Sequence, residues 1–135
     1  MYFEIAIQRI IIDPKSGNDK TIKELYFVDK VELFGEAEMR GLELYPNNAD
    51  VVAVKISSIL EFVNRRTLEE QSIFVATLES VFVDENDVEK TTRYKVALFA
   101  KNIQDATNIV LEYQKGGVED MTLIGMKRTK FIDIL

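Results

Sequence analysis

Phe3-Glu4-Ile5-Ala6-Ile7 and, about 70 residues further on, Phe74-Val75-Ala76-Thr77-Leu78 are the two stretches whose comparison decides the fold. Each opens a run rich in β-branched and aromatic residues, which strands favour. Working outward, Ile11-Ile12-Asp13 corresponds to Phe82-Val83-Asp84. Both lead into polar stretches that end in Lys-Thr, at Lys20-Thr21 and Lys90-Thr91. Phe34, Ala37, Gly41 and Leu44 then correspond to Ile103, Ala106, Val110 and Tyr113. Asp50 to Ile56 corresponds to Asp120 to Met126, and Ile59-Leu60-Glu61-Phe62 to Phe131-Ile132-Asp133-Ile134. Correspondences kept in one order along the chain point to a tandem duplication.

Each copy reads as ββαβ. In the first, residues 2–12 form a strand, Asp13 to Asp19 a loop and residues 21–29 a returning strand. The loop holds proline, glycine, asparagine and aspartate, all turn formers. The apolar phase slips from Phe3, Ile5 and Ile7 to Ile10 and Ile12, which a bulge near Gln8-Arg9 would explain, or else both faces of the strand are covered. Phe34, Ala37, Gly41 and Leu44 fall on one helical stripe, giving a helix over 34–45 that Pro46-Asn47-Asn48 stops. Residues 50–57 are the third strand. The second copy places strands at 73–83, 91–100 and 120–127 and a helix at 103–114. Asn102 and Asp105 have capping-box spacing at that helix's start, and Gly116-Gly117 stand at its end.

The fold class is therefore α+β: a tandem duplication of a ββαβ unit with a mixed or antiparallel sheet and one helix per unit. One domain of residues 1–135 is expected, built of units 1–63 and 73–135 with a connector at 64–72. The hairpin makes the first two strands antiparallel, and the helix crossover makes the second and third parallel, giving order 2-1-3. A three-stranded sheet with one helix leaves a face open. The copies would cover each other or join edges into a six-stranded sheet.

The chain has 135 residues, no cysteine and no histidine, and a formal net charge of −6. The charge is about −2 up to Thr67 and −4 beyond it, so neither copy is a basic module. Ser-His-Asp and Cys-His catalysis and Cys/His zinc sites are excluded. No glycine-rich phosphate loop occurs. Asp84-Glu85-Asn86-Asp87-Val88-Glu89 has calcium-ligand chemistry, but Val88 and Glu89 break the EF-hand pattern and a solvated hairpin loop is the plainer reading. Asp29, Glu32, Glu36 and Glu38 flank a helix start, where the helix dipole favours acids without any function. No catalytic residue, metal ligand or cofactor is assigned. No apolar run suits a membrane span or a signal peptide, and a cytoplasmic setting is the expectation.

Positive charge clusters at Arg65-Arg66, at Arg93 and Lys95 around Tyr94, and at Lys127-Arg128 with Lys130. Cations beside aromatics on a sheet are a means of holding single strands of nucleic acid, and equally a surface for a protein partner. Ordinary solvent-facing residues are the plainer alternative.

Tyr26-Phe27-Val28-Asp29-Lys30-Val31-Glu32-Leu33-Phe34-Gly35-Glu36-Ala37-Glu38, Val52 to Ile56 and the closing Phe131 to Leu135 together resemble a family of small proteins. These are classed only as a domain of unknown function and occur in phages, mobile elements and gut bacteria. The resemblance covers nearly the whole chain. It departs at Leu33 and Gly35, where a serine or threonine cap is expected. It implies a phage or mobile-element origin inside a bacterial cell, and transfers no site residues. The expectation is a non-enzymatic binding or assembly protein that recognises a protein partner, with homo-oligomers admitted. The alternative is a single-stranded nucleic-acid-binding accessory protein. A carboxylate-dependent metal enzyme and an acidic mimic of DNA carry less weight.

Overall fold

The computed structural model describes residues 1–116 and 121–135. Among these are eight strands and two helices. In chain order they are β1 (Phe3–Ile12), β2 (Asp19–Val28), α1 (Phe34–Leu44), β3 (Ala49–Ile56), β4 (Ile59–Phe62), β5 (Ser72–Val83), β6 (Glu89–Ala100), α2 (Ile103–Lys115), β7 (Thr122–Arg128) and β8 (Phe131–Ile134). The α+β class and the doubled ββαβ pattern are as expected. Gly117 and Asp120, read from the sequence as a helix stop and a strand start, lie outside the described residues.

The strands form two four-stranded mixed sheets, β3-β1-β2-β8 and β4-β6-β5-β7. Each contains the expected 2-1-3 order. β1 is antiparallel to both β2 and β3, so β2 and β3 run the same way. The edge-joined six-stranded sheet does not form. Each copy instead has a fourth strand that sits in the other copy's sheet: β4 lies parallel to β6, and β8 parallel to β2. The compact units are accordingly 1–58 with 130–135, and 59–129, rather than the repeat boundaries 1–63 and 73–135. Residues 64–71 fold onto the second unit. The Asn64 carboxamide accepts from the Phe99 N–H (2.7 Å) and donates to the Phe99 carbonyl (2.9 Å), prolonging β4 by a side chain.

The bulge is not near Gln8-Arg9. β1 and β2 pair without interruption from Phe3–Val28 to Ile12–Asp19, and the extra residue is Val52 of β3, opposite Ala6 and Ile7. The second unit repeats it at Ile124, opposite Thr77 and Leu78. The phase slip has another cause. Phe3, Ile5 and Ile7 face α1 and are buried, whereas Ile10 and Ile12 lie on the opposite face, 64% and 70% exposed.

In the first unit α1 lies over Phe3, Ile5, Ile7, Tyr26 and Val28. Gly41 permits the approach, since a Cβ there would stand 2.8 Å from the side chains of Ile5 and Val51. In the second, Ala106 and Val110 of α2 share a core with Phe74, Ala76, Leu78, Val96 and Leu98. The Asn102 side chain caps α2 by accepting from the Asp105 N–H (2.8 Å), and Asp105 accepts from the Lys101 N–H (3.0 Å). Leu33 gives α1 no such cap.

Candidate functional site

The strand register sorts the basic residues singled out from sequence. Cross-strand partners share a face, and successive residues alternate. Arg93 stands opposite Glu79 and Lys95 opposite Thr77. Lys127 stands opposite Val75. All three cations occupy the face of the second sheet away from α2. Tyr94 stands opposite Leu78 and is on the α2 face, as is Arg128, opposite Phe74. The expected aromatic among the cations is therefore on the wrong side of the sheet.

Several of these cations have structural partners. Arg93 Nε is 2.9 Å from Glu79 Oε2. Arg66 lies 4.8 Å over the Phe99 ring and donates to the carbonyl of Gln71 (2.6 Å), tying down the loop before β5. Arg65 lies 5.6 Å over the Phe62 ring. Arg128 lies 5.3 Å over Phe74 and donates to the Lys101 carbonyl (3.3 Å). Lys95 and Lys127 are exposed, and Lys130 belongs to the first unit.

The acidic loop is a turn device. The Asp84 carboxylate accepts from the N–H groups of Asn86 (2.9 Å) and Val88 (3.0 Å) and pairs with Lys90 at 3.3 Å. Those backbone bonds, led by Val88, hold its carboxyl below the usual range. Among the described residues no three carboxylates are placed to hold a metal ion. On the α2 face, burial and then a hydrogen bond to Glu61 push the Tyr113 hydroxyl up to about 12.

A polar cluster that the sequence reading passed over lies on the α1 face of the first unit. Arg9 makes a two-pronged contact with Glu24, Nε to Oε1 at 3.0 Å and Nη2 to Oε2 at 3.3 Å. Its guanidinium sits 4.3 Å over the Tyr45 ring, and the Tyr45 and Tyr26 hydroxyls meet at 3.3 Å. Burial pushes the Glu24 carboxyl up; hydrogen bonds from Arg9, Tyr45 and Tyr26 and the charge of Arg9 overcome this and leave it below its ordinary value. Burial, then the bond to Tyr45, raises the Tyr26 hydroxyl. At matching places the second unit has Ser80, Tyr94, Val96 and Gln114, so the scaffold stands without the cluster. The signal for it was Arg9 itself, a cation inside a strand of isoleucines.

The second feature is the outer half of each long hairpin. β3 pairs with β1 only as far as Arg9, and β7 with β5 only as far as Glu79. Beyond these points, among the described residues, both hairpins run on as two-stranded ribbons. Exposed apolar residues gather there: Ile10 and Ile12 in the first, Val81, Phe82 and Val83 in the second. A groove of about 570 Å³ lies where β3 begins, lined by Gln8, Arg9, Ile10, Asn47, Asn48 and Asp50 among others.

The fold and these surfaces define a duplicated α+β protein, with two four-stranded mixed sheets, one helix on each, and apolar hairpin ends. The chain belongs to the family described as a domain of unknown function, DUF4494, whose pattern matches residues 1–135. No curated protein and no solved structure matches it.

Proposed function

We propose that this chain is a non-enzymatic binding or assembly protein of a phage or mobile element, working in the cytoplasm of a bacterial cell, and that it recognises a protein partner through the outer halves of its hairpins. The observation that carries this reading is the exposure of Ile10, Ile12, Val81, Phe82 and Val83 on ribbons whose outer edges have no strand beside them among the described residues. Apolar side chains next to unpaired backbone form a template for a further strand. The absence of histidine and cysteine fits a role in recognition.

A photo-reactive amino acid placed at Ile12 or Val83 in host cells should form protein adducts. The same group at Glu38 or Glu112, exposed on the helices, should not. Equal labelling at all four places, or none, would overturn the reading.

Nucleic acid is the weaker alternative. Arg93, Lys95 and Lys127 share a face, but Glu79 neutralises Arg93 and Tyr94 lies on the other side.

A further inference from the structure

The outer ends of β1 and β2 have unlike edges. The outer part of β2 carries Asp19, Lys20, Lys23 and Glu24, charges of the kind that blunt a strand edge. The β1 end is Ile10-Ile11-Ile12, with no charge until Asp13. The Asp13 N–H donates to the Asn18 carbonyl (2.8 Å), so the odd residues of β1 bond toward β2. By alternation, Ile10 and Ile12 turn their N–H and C=O groups outward, past the point where β3 ends.

We propose that this edge pairs with the same edge of a second copy of the chain, antiparallel about a two-fold axis through Ile11. This rests on the hairpin reading above and names the partner. The register follows from geometry. Centring on Ile10 would place a second Ile12 against Gln8, whose edge β3 already occupies. Centring on Ile12 would place Ile10 against Pro14, which has no N–H. Only Ile11 at the centre sets Ile10 against Ile12 of the other copy, both with outward backbone groups.

Charge agrees with that register. The other copy's chain turns away at Asp13, because Ala49 of β3 already stands opposite Arg9 and Arg9 is held by Glu24. Its turn enters the groove beside β3, bringing Lys15 toward the exposed Asp50. The contact is isologous, so each pair occurs twice. The same construction on β5 would set Ser80 against Asp84 and bring together turns that each carry Asp84, Glu85 and Asp87, with Lys90 already paired to Asp84, so the second unit's edge is the poorer partner.

The test is sedimentation of the purified full chain over roughly 1–500 µM, a span that covers weak association. A dimer is expected. Ile12→Pro removes an outward N–H and an exposed apolar side chain without breaking a bond to β2, and should give a monomer with unchanged circular dichroism. Should that variant misfold, charge reversal carries the test. Lys15→Asp and Asp50→Lys should each weaken the dimer about fivefold, a doubled surface ion pair, and the double variant should restore it. A chain monomeric throughout, or a dimer that the double variant does not restore, overturns the proposal. A monomer in vitro together with adducts to a different protein in cells would overturn this inference alone and leave the proposed function standing.

Discussion

Gly41 and Val110 occupy the same place on their helices, and the sheet residues beneath compensate. Where α1 has glycine, β1 presents Ile5; where α2 has valine, β5 presents Ala76. The two copies thus fill one layer with similar volume divided differently. Gly41→Val alone should overpack the first unit and cost about 1–3 kcal/mol. Ile5→Ala alone should cost about 2–5 kcal/mol. The double variant should recover part of both, and urea unfolding of the four proteins measures the coupling. Additive losses would show that the sites do not share the layer. Glu24 makes a second prediction at this scale. Its folded carboxyl lies below the ordinary value of 4.5. The stabilisation is therefore complete above that value and is lost as the pH falls through the lower folded one. Glu24→Gln removes this acid-side loss, so from about pH 5 to about pH 3 its unfolding midpoint should fall less than that of the parent chain. Parallel curves would contradict it. The repeat and the apolar stripe were legible because they depend on local spacing. The Glu24 cluster was not, because Arg9, Glu24 and Tyr45 come from three separate segments.

Among the elements, the short strands carry what periodicity missed. β4 and β8 have four residues each, too few for an alternating pattern to stand out. β8 nevertheless completes the first sheet. Phe131 stacks on Phe27 with centroids 4.0 Å apart, and the Leu135 N–H donates to the Phe27 carbonyl at 2.7 Å. Phe131→Ala should cost roughly 3 kcal/mol. A chain ending at Thr129 should uncover Phe27 and lower the thermal midpoint further, as circular dichroism would read. An unchanged midpoint would mean that β8 adds little to the sheet. The bulge was expected in the wrong strand for a related reason. Ile10 and Ile12 looked like a change of phase, but they are apolar residues left on the open face of a ribbon. Sequence shows that a residue is apolar; it does not show whether anything covers it.

For the whole molecule, net charge is the quantity that sequence settles outright. At −6, with Arg93 paired and Tyr94 turned away from Lys95 and Lys127, bulk attraction to phosphate is weak. Labelled single-stranded oligonucleotides should therefore show no anisotropy change at about 50 mM salt, where phosphate contacts are strongest. Binding there that fades at higher salt would restore the nucleic-acid reading. By itself the sequence determined the duplication, the hairpin and helix of each copy and the exclusion of histidine and cysteine chemistry, since these follow from residue identity and local periodicity. Only the tertiary structure decided that β4 and β8 join each other's sheets, that the basic residues divide between two faces, and that Ile10 and Ile12 remain exposed. Each of these depends on which distant segment lies alongside, and pairing between strands far apart in the chain leaves no local trace in either strand.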